Sequence, residues 1–147
     1  MVMRADIVST ALAWRGTPYR HQASLKGVGC DCLGLLRGVW RETIGPEPEA
    51  PPPYSPDWAE AGRAETLAAA GFRHLVPVAI GAQAPGDVLL FRWRPTLPAK
   101  HVAILIAPAR FLHAYDAAGQ VVESSLSPWW RRRLAYAFAF PGARDPE

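Results

Sequence analysis

The chain places its only two cysteines in one decapeptide, "GVGCDCLGLL" at positions 27–36, and its four histidines at positions 21, 74, 101 and 113. Thiols and imidazoles in this number support three readings. Cys30 and Cys32 are small core residues, or half of a zinc site completed by His101 and His113, or a nucleophile with a bystander beside it. A working thiol needs surroundings that favour its thiolate, and an imidazole held in turn by a third polar group. Cys32 stands where a helix is expected to begin, after a glycine-bearing turn. Unpaired backbone N–H groups and the positive end of the helix dipole lie there. Against zinc stand the C-x-C spacing and the lack of an acid placed as in zinc deaminases.

Among the histidines, His21 falls in a polar loop and His74 opens a β-rich run beside Arg73, so both read as solvated side chains. His101 and His113 each interrupt an otherwise apolar strand, twelve positions apart. A tight connection at Ala107, Pro108 and Ala109 makes these two strands an antiparallel hairpin. With Ala103 opposite His113 the two imidazoles share a face as diagonal neighbours. A slip of one residue would separate them.

The elements that must position these groups are legible in outline. "ADIVSTALAWRG" reads as a helix anchored by Ile7, Leu12 and Trp14, with Gly16 at its end. From Cys32, the stripe Leu35, Leu36, Val39 and Trp40 predicts a second amphipathic helix that stops at Gly45. Six prolines between Pro46 and Pro56 rule out a regular element and predict a long surface loop. "DWAEAGRAETLAAAG" predicts a third helix, capped by Asp57 and stopped by Gly71. After Gly71 come six short β-rich runs, "FRHLVPV", "DVLLFRW", "HVAILIA", "RFLHAYD", "QVVESSL" and "LAYAFAFP". Helices first, then strands without helical crossovers, predict an α+β fold with a mostly antiparallel sheet of about five to six strands.

Composition bounds the setting. At 147 residues, half of them hydrophobic, the chain fits one globular domain over 1–147, with the proline-rich loop and extra helix at about 46–71. No apolar run approaches the ~18 residues of a membrane helix, so no membrane insertion is expected. The net charge of +3 is too sparse for the basic stripe of a nucleic-acid binder. No secretion signal is read at "MVMRADIVST", so synthesis in the cytoplasm with reduced thiols is expected.

"GTPYRHQ…GCDCLGLL", "APGDVLLFR", "KHVAILI" and "RFLHAYD" together resemble the NlpC-type cell-wall peptidases, a papain-like family, over about Gly16 to Pro141. The form "GTPY…GCDCLGLL", with the closing "AYAFAFP", is most similar to the peptidases encoded with tail proteins of phages and gene-transfer agents. The resemblance implies a papain-like fold with N-terminal helices packed on the sheet. It implies Cys32 as nucleophile, His101 as general base and His113 as orienting third residue, with Tyr19 and Asp31 at the substrate side of the site. Cys30 matches no catalytic position. The family's D-C-S-G reads D-C-L-G here, so Leu33 enters the substrate-binding set in place of serine. The implied reaction is hydrolysis of an amide bond in peptidoglycan stem peptides, between γ-D-glutamate and a diamino acid, with no cofactor and no metal. Tail-hub or tail-tip proteins are the implied partners, and a virion tail reaching the target periplasm is the implied place of action. The alternatives are a non-catalytic tail module, a Cys/His zinc site, or acyl transfer by the same thiol. "SPWWRRRL" at 127–134 reads either as an amphipathic turn or as a surface for glycan or protein.

Overall fold

The computed structural model describes residues 2–51 and 64–146. The first helix, α1 (Arg4–Leu12), buries Ile7 and Ala11 and ends before the expected Gly16. Residues 13–16 continue as turns, and Gly16 takes the φ of +85° that lets the chain leave. The second, α2 (Cys32–Thr43), starts at the predicted cysteine, and its Leu35 and Val39 are buried.

The third predicted helix differs in extent. Asp57 and the proline-rich segment from Pro52 lie outside the described residues. The described helix, α3 (Thr66–His74), runs past Gly71 rather than stopping there. Gly71 is used for close approach: a Cβ at this position would lie 2.7 Å from the Phe138 ring. His74 therefore closes a helix instead of opening a strand, and its Nε2 lies 3.2 Å from Glu49 Oε1.

Two small pairings flank the main sheet. Strand β1 (Val2–Met3) pairs in parallel with β10 (Ala143–Arg144), and β2 (Ser24–Leu25) with β3 (Gly29–Cys30) in a hairpin. The main sheet has six strands: β4 (Val76–Val78), β5 (Val88–Phe91), β6 (His101–Ala107), β7 (Arg110–Tyr115), β8 (Gln120–Ser125) and β9 (Leu134–Ala139). Their order is β4-β9-β5-β6-β7-β8, and every neighbouring pair is antiparallel. A one-turn helix, α4 (Pro128–Arg131), joins β8 to β9. The fold is α+β with a wholly antiparallel six-stranded sheet, as the order of helices and β-rich runs predicted, and β9 returns to lie between β4 and β5.

Alternation along the strands sorts two cores. Val88, Leu90, Val102, Ile104, Leu112 and Ala114 pack with Ile7, Ala11, Leu35 and Val39 of α1 and α2. Leu89, Phe91, Ala103, Leu105 and Phe111 face the other way, under Leu126 and Trp130. Buried Asp87, at the start of β5, ties the helical layer to the sheet. It accepts hydrogen bonds from the Arg4 guanidinium and the Ala84 N–H.

The approach of α2 depends on two missing side chains. A Cβ on Gly34 would lie 1.9 Å from the Ala23 carbonyl oxygen, and one on Gly38 would lie 2.0 Å from the Trp14 ring. Gly34→Ala forces either the 20–25 loop or the helix to move, and is expected to cost about 3 kcal/mol of stability, at the upper end for overpacking. Urea unfolding monitored by circular dichroism measures this; an unchanged midpoint would show that α2 does not need the contact.

Candidate active site

The first turn of α2 is built around Asp31. Its extended backbone makes it the N-cap, and its carboxylate accepts from Gly34 N–H at 2.7 Å and from Gln22 N–H at 2.7 Å. Asp31 is only 3% exposed, so it is a buried brace between the 20–25 loop and the helix. Cys32 follows as the first helical residue. Its Sγ donates to the Lys100 carbonyl at 3.9 Å, while the N–H groups of Val102 and Leu33 face the sulfur. The segment on either side of His101 thus brackets the thiol.

The hairpin has the register on which the sequence argument depended. Ile104 lies opposite Leu112 and Leu105 opposite Phe111, which one residue further sets Ala103 opposite His113. Both imidazoles project from the face away from α1 and α2, into the aromatic core around Trp130. His101 Nε2 and His113 Nδ1 are 2.7 Å apart, and His113 Nε2 is 2.8 Å from Ser124 Oγ on β8. The result is a buried polar chain: His101, His113, Ser124.

Cys32 and His101 both line one cavity of about 410 Å³. It is lined by Tyr19, His21, Asp31, Cys32, Leu33 and His101, with Trp93, Lys100, Tyr115 and Asp116 among the remaining wall residues. Tyr19 is held there by its N–H bond to Gly119 and a bridge to Cys30. Leu33 and Leu67 also line an adjoining apolar cavity of about 310 Å³. Every residue assigned to the substrate side from sequence, Tyr19, Asp31 and Leu33, reaches the same cavity as Cys32 and His101. His113 stands behind His101 and does not line it.

Four contributors escaped sequence reading. His21, read as a solvated side chain, is on the cavity wall with Nδ1 3.8 Å from Asp31 Oδ2. Ser124 ends the histidine chain; its place two residues beyond Val122, the partner of His113, marks it as a diagonal neighbour. Trp93 follows Leu89 and Phe91 in strand alternation, which points it toward the histidine face. Lys100 carries no signal beyond its position before His101.

The electrostatics correct one expectation. The start of α2 does not hold Cys32 as a thiolate. Burial and the adjacent Asp31 carboxylate push the thiol up to about 11, against the opposing N–H groups of Val102 and Leu33. Burial is the larger cause, and Asp31 adds to it because its carboxylate already occupies the helix terminus that the thiolate was expected to use. Burial pushes the Tyr19 phenol up as well, with Cys32 and Asp31 adding to it, and moves Cys30 up to about 12. Burial, His113 and Lys100 hold His101 well below the ordinary imidazole range, and burial lowers His113 to about 4. At neutral pH the resting pair is a thiol and a neutral imidazole.

Cys30 is fully buried in the core under α1 and α2. Among the described residues no three of His, Cys, Asp and Glu group as metal ligands, so the four residues of the zinc alternative do not converge.

Comparison with known proteins bears on the same segment. The NlpC/P60 family model matches residues 16–138, which run from the turn after α1 into β9. This chain belongs to the NlpC/P60 family. It is 28% identical over 131 residues to a murein DD-endopeptidase MepS/murein LD-carboxypeptidase of Escherichia coli, covering 89% of this chain and 60% of the relative. The chain therefore spans about three-fifths of the length of that relative. The solved NlpC/p60 domain of the peptidoglycan hydrolase SagA is similar with a TM-score of 0.66 and 22% identity, over 95% of this chain and all of that one. An NlpC/P60 family protein from Bacillus cereus gives a TM-score of 0.67 at 22% identity, over 93% of this chain and 40% of that one. These NlpC/P60 structures share the helices-then-sheet architecture, so the papain-like fold expected from the motifs is the fold observed.

Proposed function

We propose that this NlpC/P60 protein is a cysteine peptidase that hydrolyses an amide bond in peptidoglycan stem peptides. The observation that carries this reading is the bracketing of the Cys32 sulfur by residues 100 and 102, with His101 between them hydrogen-bonded to His113. His101 Nδ1 takes the thiol proton as Sγ attacks the carbonyl carbon. The proton then passes to the departing amine, and His101 draws a proton from water to release the acyl-enzyme. For Nδ1 to be the base, His101 must carry its own proton on Nε2 and donate it to His113 Nδ1. His113 then holds its proton on Nε2 and donates to Ser124 Oγ. The Cys32 N–H, at the first position of α2, serves as an oxyanion donor.

Tyr19, Asp31 and Leu33 form the wall that the stem peptide meets. Leu33, where the family pattern has serine, gives that wall an apolar element. The bond favoured is the one between γ-D-glutamate and a diamino acid, from the resemblance of the motif set to the NlpC-type cell-wall peptidases. The similarity of "GTPY…GCDCLGLL" and "AYAFAFP" to tail-associated peptidases favours a protein carried with tail-tip neighbours to the target periplasm. The similar Escherichia coli relative is named for different bonds, so the products decide. Muropeptides incubated with the wild type and with Cys32→Ala are compared by mass spectrometry. Fragments ending in D-glutamate, made only by the wild type, support the whole reading. Loss of D-alanyl cross-links or of a terminal D-alanine moves the bond, and intact muropeptides sink the peptidase. Recovery of the protein in purified tail particles tests the setting.

A further inference from the structure

His101 sits in a box of rings. The Trp93 indole is stacked on its imidazole, with centroids 5.1 Å apart and planes 29° apart. Trp130, Tyr115 and Phe91 stand at 6.0, 6.0 and 6.2 Å. The titratable and charged groups facing it are His113 through the hydrogen bond, Tyr115 through its ring, and Lys100 from the adjacent position. Cys32, Tyr19, His21, Asp31 and Asp116 share the cavity with it. Of the two acids, Asp31 acts on Cys32 and both act on Tyr19.

Among the described residues no carboxylate bonds to either imidazole of the pair; the other partner of His113 is a hydroxyl. This leaves a gap in the charge balance. In an acidic triad a buried carboxylate stabilises the imidazolium that forms during reaction. Here the third residue is a second imidazole, which offers one lone pair and no charge. The imidazolium must nevertheless form on a ring that is 6% exposed.

We propose that the stacked indole of Trp93, backed by Trp130, supplies the negative face that stabilises His101 while it carries the thiol's proton. The proposal rests on the reading of Cys32 and His101 as an acid–base pair. Indole presents the most negative face among the protein side chains, and a cation within about 6 Å of its centroid gains from a few-fold to about thirtyfold in an equilibrium. Trp93 also lines the cavity, so this stabilisation acts beside the reacting atoms. The indole acts through His101 and is a positioning residue in that sense. It does not touch the proton.

Site-specific incorporation of mono-, di-, tri- and tetrafluorotryptophan at position 93 tests this, because fluorine drains the face while keeping the outline and cover of the ring. The His101 imidazole is titrated by NMR in Cys32→Ala protein, and kcat/KM on muropeptides is measured in Cys32 protein. The expected result is a stepwise fall in the His101 pKa with each fluorine. A matching fall in kcat/KM should reach a few-fold to about thirtyfold for the tetrafluoro ring. A flat titration series, or one that rises because water enters, overturns the proposal and leaves Trp93 as packing. The titration does not depend on any peptide being cut. A stepwise fall in protein that leaves muropeptides intact would therefore sink the peptidase and keep the role of Trp93. Cleavage with a flat titration would do the reverse.

Discussion

His101→Ala is expected to lower kcat/KM on stem peptides by on the order of 10⁴, and adding Cys32→Ala to it is expected to cost almost nothing more. The reason lies in the resting state. A thiol pushed up to about 11 that shares its cavity with a neutral imidazole is not a nucleophile until that imidazole takes its proton. Neither group has a function without the other, so their losses cannot add. In a site that stored a ready thiolate, the cysteine alone would keep substantial reactivity after loss of the histidine. Single-turnover cleavage of a defined stem peptide by the two single variants and the double variant separates these cases. A double variant slower than either single one by a further factor of about 100 would show that thiol and imidazole act independently. Alkylation by iodoacetamide provides a second reading: His101→Ala should make Cys32 no more reactive at pH 7 than a buried thiol.

Much of this site was legible because its residues break local rules. Histidine in the middle of an apolar strand and cysteine at a helix start are conflicts between pattern and content, and such conflicts mark functional positions. The register does not follow from the turn alone: Ala107 pairs with Arg110, and only the irregularity between Leu105 and Ala107 shifts the pairing by the one residue that sets Ala103 opposite His113. The misread elements failed for tertiary reasons. Gly71 looks like a helix stop from sequence, yet it is the point where α3 meets Phe138, which lies 67 positions further on. His21 looks solvated because nothing local shows that its loop folds back over Asp31. The protonation of Cys32 was misjudged because spacing does not show how deeply the thiol is buried, and because the cap residue Asp31 already holds the helix start. Spacing shows which residues share an element. It does not show which of two neighbouring anions the element's dipole will serve.

The histidine chain allows a sharper test than deletion of the base. His113→Leu is expected to lower kcat by on the order of 10³, by removing the acceptor that keeps the His101 proton on Nε2. Without that acceptor the buried Nε2–H is unpaired, and the tautomer with its proton on Nδ1 becomes competitive. That tautomer points a proton at the thiol and cannot receive one. His113→Asn should behave differently. The Asn Oδ1 is bonded to Cγ as His113 Nδ1 is, so it can accept from His101 at nearly the same place, 2.7 Å away in the native pair. What it loses is the bond to Ser124 and the ring packing against Tyr115 at 4.8 Å. Activity within about tenfold of wild type is expected for asparagine, with a lower melting temperature. Steady-state kinetics together with the NMR tautomer signature of His101 provides the measurement. Equal losses for leucine and asparagine would mean that His113 contributes its bulk, and that some other group orients His101.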